Sequence, residues 1–381
     1  SNLLSKSMLN FLKKIFSIFL IFNLTFVSSA QAAAVSFNDF NGDGTGFSVA
    51  AQDTTPNGIV FNNDGTKMFV VGSVGRDVNE YNLSTAFDVS TAVFRDFNGD
   101  GTGFNVTSQE VVPTSIAFNN DGTKMFVLGV QGDEVNEYNL STAFDVSTAV
   151  FRNFNNNGTG FSVAAQDTIP NGFAFNNDGT KMFVTGQTGD DVNEYNLSTA
   201  FDVSTAVFRD FNGDGTGFSV AAQDASPTGI AFNNDGTKMF VMGDTDKDVN
   251  EYNLSTAFDV STAVFRDFNG DGTGLSVAAQ EADPHFLTFN NNGTKMFVVG
   301  IVGDDVNEYN LSTAFDLNGD PKDNKDARGI MDAQINTAKN FAEDSRQSTF
   351  KRLDILRANK YHNTTAQNIE LLFQNELLKK V

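Results

Sequence analysis

An oxygen-rich octapeptide, DFNGDGTG, begins at Asp39, Asp96, Asp210 and Asp267, and a carboxylate-free version, NFNNNGTG, begins at Asn153. Side-chain oxygens at positions 1, 3 and 5 of a tight turn, with glycine at 6, can converge on a hard cation such as Ca²⁺, which takes about six to eight oxygen ligands. The candidate metal ligands are therefore Asp39, Asn41 and Asp43; Asp96, Asn98 and Asp100; Asp210, Asn212 and Asp214; and Asp267, Asn269 and Asp271. Position 12 of a full helix-loop-helix calcium loop should be glutamate, and here it is Ala50, Thr107, Ala221 or Ala278. Further oxygens must come from the backbone or from neighbours such as Asp53, Glu110, Asp224 and Glu281. The competing reading is a plain turn, since Asn-Gly and Asp-Gly pairs also supply the positive φ that turns need.

Two more acidic series recur. Asp77, Glu134, Asp191, Asp248 and Asp305 precede Glu80, Glu137, Glu194, Glu251 and Glu308. Around a ring, one series could face a channel and hold a cation, but a solvated rim is the expected arrangement because unpaired buried carboxylates are costly. Asn82, Asn139, Asn196, Asn253 and Asn310 open NLS triplets and read as turn residues. The marked departure among the copies is Asp283-Pro284-His285-Phe286, in which His285 stands where the other copies have Asn57, Thr114, Asn171 and Thr228. That histidine could serve as a general base near one face, but no partner constellation accompanies it. No residue is assigned a catalytic or cofactor-binding role, because near-identical repeats supply like groups where catalysis needs unlike ones.

Composition removes other chemistry. The 381 residues include no cysteine, no tryptophan and only His285 and His362, which excludes disulfide scaffolds, thiolate zinc sites and multi-histidine metal centres. Lys and Arg total 25 against 47 Asp and Glu, a formal charge of −22. Between Ala33 and Pro321 the balance is 11 bases against 39 acids, or −28. Such a domain repels phosphate backbones, so nucleic acid is not an expected partner.

The N-terminus has the layout of an export signal over residues 1–32. Lys13 and Lys14 precede the apolar run Ile15 to Val27, and Ala30-Gln31-Ala32 follows as a small-residue cleavage site. The run is short of the roughly 20 residues that span a bilayer. The expected localisation is the periplasm, the outer-membrane surface or the extracellular space.

What must position the candidate ligands is a repeat. FNNDGTKMFV begins at Phe61, Phe118, Phe175 and Phe232, and FNNNGTKMFV at Phe289, a period of 57 residues. Within one unit, Gly58 to Phe61 leads through Asn-Asp-Gly, a hairpin signal, into Lys67 to Gly72. A turn near Ser73 to Arg76 precedes the strand-like Asp77 to Leu83, and Ala92 to Phe97 supplies a fourth strand. The segment after NGDGTG either splits that strand or adds a fifth short one. Four strands per unit mark a propeller blade. The first copy starts at Val35 on its fourth strand and the last stops near Asp316 after its third, so the N-terminal strand is expected to complete the last blade. Residues 33–321 are thus read as an all-β, five-bladed β-propeller.

Pro227 to Val241, PTGIAFNNDGTKMFV, followed by DVNEYNLST from Asp248, resembles the bacterial propeller repeats of the YVTN type. The resemblance spans about 280 residues and implies the fold, which hosts many activities. DFNGDG is also similar to the calcium loop of FG-GAP propeller repeats. That family places another Asp three residues after the motif, where this chain has Phe47, Phe104, Phe218 and Leu275.

After Pro321 glycine becomes rare and apolar residues recur at helical spacing, at Met331, Ile335, Ala338 and Phe341, then Phe350, Leu353 and Leu356, which predicts a helical tail over 322–381. Phe350 to Arg357 with Thr365 to Leu371 resembles the stretch preceding the outer-membrane barrel of autotransporters. That likeness implies a translocator downstream of the C-terminus as a partner. The expected function is an exported, non-enzymatic binding or adhesion module with weak Ca²⁺ loops and a protein or glycan surface ligand. The alternatives are a metal-dependent lactonase-like hydrolase and a purely structural spacer.

Overall fold

The Asn-Asp-Gly hairpins and the apolar runs beside them build one unit five times. The computed structural model describes residues 35–268 and 270–318; the export signal, the helical tail, His362 and Asn269 lie outside the described residues. By chain contacts the protein divides into Ser1–Asp323 and Asn324–Val381, and every described residue falls in the first unit.

The chain enters as β1 (Val35–Phe37) and β2 (Phe47–Ser48). The first complete blade follows as β3 (Pro56–Phe61), β4 (Lys67–Gly72), β5 (Asp77–Leu83), β6 (Ala92–Phe94) and β7 (Phe104–Asn105). β3 to β6 form an antiparallel meander, and β7 pairs back on the start of β5 through Asp77↔Asn105 and Val78↔Phe104. The segment after the octapeptide is therefore a fifth short strand, with β6 ending at Phe94 and the octapeptide looping between the two. A 3-10 turn, Val89–Thr91, joins β5 to β6, with Asp88 as its cap.

The five sheets surround one axis, the inner strands Pro56–Phe61, Pro113–Phe118, Pro170–Phe175, Pro227–Phe232 and Pro284–Phe289 each lying against the next, and the last against the first. The ring is closed by the N-terminus. Val35, Ser36 and Phe37 pair with Leu311, Asn310 and Tyr309, and Phe47 and Ser48 pair with Val306 and Asp305.

The core lies between blades, so both faces of each middle strand are buried and β4 reads as a continuous apolar run. Phe69 and Val71 pack with Ile116, Met125 and Val127 of the second blade, while Met68 and Val70 pack with Phe297 and Val299 of the fifth. Along the axis the inner strands almost touch. A Cβ built on Gly172 would lie 3.0 Å from Gly229 Cα, and one on Gly58 would lie 2.9 Å from Ser115 Cα. At the fifth copy Phe286 replaces the small residue and is buried against Ile59 and Val299.

Candidate functional site

Each blade presents two ends. One is the hairpin end, built by Asn62 to Thr66 and its copies; the other is the turn end, where the start of the inner strand meets the β4–β5 turn. Thr55 Oγ1 and Ser73 Oγ, 2.8 Å apart, mark the turn end of the first blade.

The octapeptide loops hold themselves. Asp39, Asp96, Asp210 and Asp267 each accept the N–H of the glycine three residues on, at 2.5–2.6 Å. Asp100 Oδ1 accepts both the N–H (3.0 Å) and the hydroxyl (2.8 Å) of Thr102, and Asp43, Asp214 and Asp271 do the same with their threonines. These bonds hold the carboxyls of Asp43, Asp100, Asp214 and Asp271 below the usual range. Glycines at φ near +75° to +85° turn the corner. In the carboxylate-free copy Asn157 bonds Thr159 in the same way, with Asn156 at φ +58° and Gly158 at +82°. Carboxylates are thus not required for the turn.

Each loop is tied down by the first acidic series. Asp77, Glu134, Asp191, Asp248 and Asp305 accept the N–H of Gly103, Gly160, Gly217, Gly274 and Gly46 at 2.7–2.9 Å. Burial pushes the carboxyls of Asp77, Asp191 and Asp305 up, and that of Asp248 up to about 6. The proposed supplementary donors are committed elsewhere. Asp53 accepts from Thr55 and Gly75 N–H, both at 2.7 Å, and Glu110, Asp224 and Glu281 hold the corresponding turns of their blades. Among the described residues, no group of three or more His, Cys, Asp or Glu side chains is placed to hold a metal.

The second acidic series corrects the expectation of a solvated rim. Glu80, Glu137, Glu194, Glu251 and Glu308 are fully buried. Each is the hub of a bridge between neighbouring blades. Glu80 meets Lys67 Nζ at 2.7 Å and Arg95 Nη1 at 2.9 Å and accepts the N–H of Val146 in the next blade at 3.3 Å. Arg95 grips Asp145 of that blade with two bonds, 2.7 and 3.2 Å, and Lys67 donates to the carbonyl of Phe144. At the ring-closing junction Asn38 takes the arginine's place, its Nδ2 bonding Glu308 Oε1 at 2.8 Å. Neither a channel site nor a rim is formed, because adjacent strands deliver two cations to every glutamate but the last.

The hairpin end is also interlocked. Asn63, Asn120, Asn177, Asn234 and Asn291 each donate to the main-chain carbonyl of the equivalent asparagine in the next blade, and Asn291 returns to Asn63. This ring was not legible in one repeat, since each bond joins residues of different copies, 57 apart for four of them and 228 for the closing one.

The turn end is where the copies diverge. Hairpin segments differ only in having Asn292 for Asp, whereas the turn end reads Thr55, Val112, Ile169, Ser226 and Asp283 at one position and Ser73, Val130, Gln187, Asp244 and Ile301 at another. The largest departures meet in space. His285 Nε2 lies 3.5 Å from Asp283 Oδ1, and Asp244 from the fourth blade's turn interacts electrostatically with both. Burial lowers the His285 pKa, against the pull of Asp244, so the imidazole is neutral at neutral pH. Burial and the Asp283 contact push the Asp244 carboxyl up. Around the same mouth Asn57, Thr114 and Thr228 bond the proline carbonyl of the next blade, while the buried Asn171 Nδ2 has no partner. The departing run marked in the sequence contains Asp283 and His285 but not Asp244, whose signal was a carboxylate at a position where the other copies have Ser73, Val130, Gln187 and Ile301.

Comparison with known proteins places the chain in no family. No family model matches, and no curated protein does. Solved structures that resemble it include a protein of unknown function from Desulfotomaculum acetoxidans, 14% identical, covering 68% of this chain and 69% of that one, with a TM-score of 0.39. A putative 6-phosphogluconolactonase from Bacteroides uniformis is 12% identical over 64% of each chain, TM-score 0.38. A gluconolactonase from Xanthomonas campestris is 14% identical, over 68% of this chain and 87% of that one, TM-score 0.41.

Proposed function

We propose that this chain is an exported, non-enzymatic binding module, of YVTN-like repeats, that meets a surface ligand with the turn end of its propeller and serves in adhesion, as an autotransporter passenger would. One observation carries the reading: the copies keep their hairpin end almost unchanged and, among exposed positions, diverge most at the turn end. A spacer has no reason to confine variation in this way, since every solvent-facing position is equally free to drift. The ligand's protein or glycan character is tested on printed arrays of both classes with the full chain. Replacing Asp244→Ser, Asp283→Thr and His285→Asn installs the residues that the first blade already carries at Ser73, Thr55 and Asn57. The triple variant is expected to lose at least tenfold in affinity for whatever the parent binds, with an unchanged melting temperature. Equal binding by the triple variant, or no binding by the parent to either array, overturns the reading.

The His285–Asp283 contact is the observation favouring the lactonase-like alternative, because a neutral imidazole beside a carboxyl can accept a proton. Among the described residues no three His, Cys, Asp or Glu side chains, His285, Asp283 and Asp244 included, are placed to hold a metal, which speaks for binding over hydrolysis.

Weak Ca²⁺ binding at the four DFNGDG loops remains part of the proposal. The donors are of the right class, and Oδ2 of Asp43, Asp100 and Asp214 takes no hydrogen bond, but each loop supplies fewer than the roughly six oxygens the ion takes. Converting the four loops to NFNNNG is expected to leave the fold intact, since the copy at Asn153 makes the same turn without a carboxylate. Ca²⁺ in tenfold excess over its dissociation constant is expected to stabilise the parent by about 1.4 kcal/mol per occupied site and the converted chain not at all. Identical melting curves in Ca²⁺ and in EDTA reduce the loops to turns.

A further inference from the structure

We propose that Asn82, Asn139, Asn196, Asn253 and Asn310 are N-glycosylation sites, each accepting a glycan on its side-chain amide; the inference rests on the export part of the function proposed above. Each opens an Asn-Leu-Ser triplet, the acceptor pattern, which has meaning where the asparagine reaches solvent. The turn reading of these residues does not hold. Asn82 is the sixth of the seven residues of β5, paired with Lys67 on one side and Val93 on the other. Its copies sit alike in Glu134–Leu140, Asp191–Leu197, Asp248–Leu254 and Asp305–Leu311.

Alternation at the end of the strand sends asparagine and serine outward and the leucine between them inward. In all five copies the asparagine and the serine are exposed, and the leucine is 5% exposed. Among the described residues none of these asparagine side chains makes a hydrogen bond, so each Nδ2 is uncommitted. Asparagine is a poor strand former, and here it brings no bond in return. The neighbours leave room. Lys67 and its copies turn away to the buried glutamates at 2.7 Å. Across the ladder from four of the asparagines stand Val93, Val150, Val207 and Val264, 66–67% exposed, and Asn310 faces Ser36. A first sugar on the amide lies beside these valines and covers apolar surface otherwise left to water.

The remaining Asn-x-Ser/Thr triplets are built differently. Asn105, Asn157 and Asn292 spend Oδ1 on the N–H of Thr107, Thr159 and Thr294 at 3.0–3.1 Å, as turn residues do, and Asn23 and Asn363 lie outside the described residues. Glutamate stands two places before each of the five strand asparagines and before none of these others. A transferase that reads charge beside the triplet therefore separates the two groups. The donor is a lipid-linked glycosyl diphosphate. The amide nitrogen attacks the anomeric carbon, the C–N bond forms as the C–O bond to the diphosphate breaks, the amide proton passes to the transferase's base, and the lipid diphosphate leaves. Because β5 is hydrogen-bonded on both edges, transfer precedes closure of the blade, while the chain crosses the membrane where such donors reside.

The test is expression of the full chain in a bacterial host that carries a membrane oligosaccharyltransferase and its lipid-linked oligosaccharide, with a known acceptor protein in the same cells as the occupancy control. Intact mass and peptide mapping read the product. The expected product is a chain cleaved after Ala32 with one glycan mass added per occupied site, mapped to Asn82, Asn139, Asn196, Asn253 and Asn310. Ser→Ala at 84, 141, 198, 255 and 312 touches exposed hydroxyls alone and is expected to abolish all of these increments, whereas Ser→Thr at the same positions keeps them. A cleaved chain without increments, in cells whose control acceptor is glycosylated, overturns this inference and leaves export standing. An uncleaved chain overturns both. Increments that persist in the Ser→Ala chain, or that map to Asn105, Asn157 and Asn292 in place of the five, also overturn it.

Discussion

Glu80→Ala is expected to lower stability by about 3 kcal/mol, the range for breaking a buried ion pair. The carboxylate is buried, and removing it leaves Lys67 and Arg95 facing each other with no anion between them and the N–H of Val146 without its acceptor. The loss is held below the extreme of the range because Lys67 and Arg95 are 24% and 29% exposed and can recover some hydration. Glu80→Gln keeps the shape and an acceptor oxygen but not the charge, and is expected to fall between the parent and the alanine variant. Chemical denaturation with an unchanged m-value reads both. A loss below about 1 kcal/mol for Glu80→Ala shows that the bridge behaves as a surface pair and that the blades are joined by apolar packing alone.

Removal of residues 1–48 is expected to be more damaging than its length suggests. It takes away β1 and β2, exposes the ladder groups of Asp305–Leu311, and strips Asn38 from Glu308. An unpaired strand in a ring that needs closure is a template for pairing with another chain. The truncated protein is expected to form oligomers or aggregates where the longer chain is monomeric, read by light scattering after size exclusion. The same junction offers a gain. It lacks the arginine that the other four possess, so among the described residues Glu308 has Lys295 as its single cationic partner and no arginine grips Asp88. Asn38→Arg restores the pattern and is expected to add about 1 kcal/mol, a modest charge-assisted bond's worth. A monomeric, fully stable truncated chain contradicts this account of closure.

Why the ring was legible and its chemistry was not follows from the residues themselves. Period and turn chemistry expose strands directly: FNNDGTKMFV announces a hairpin, and the complementary ends at Val35 and Asp316 announce closure, because both depend on neighbours in sequence. Glu80 depends on neighbours in space. Lys67 stands 13 residues before it and Arg95 15 after, on flanking strands, and Asp145 belongs to another blade. The recurrence of one lysine and one arginine in step with every glutamate but the last was the available signal for a paired, buried hub. The octapeptide was misleading in the opposite direction, since calcium loops and self-bonded turns ask for the same Asp, Asn and Gly. Only the copy at Asn153, folded alike without a carboxylate, separates the two requirements. At the turn end, Asp244 escaped notice because it reaches Asp283 and His285 from the preceding blade.

Every site described here presumes that five blades close within a single chain. The chain has no cysteine of its own, so a single engineered pair reports on closure without interference. Ser36 and Asn310 are register partners on the closing ladder and both are exposed. With Ser36→Cys and Asn310→Cys in the full chain, mild oxidation is expected to give a monomer with an internal disulfide, detected as faster non-reducing migration and a raised melting temperature. Free thiols that resist oxidation, or disulfide-linked dimers in place of the internal bond, contradict a ring closed by its own N-terminal strand.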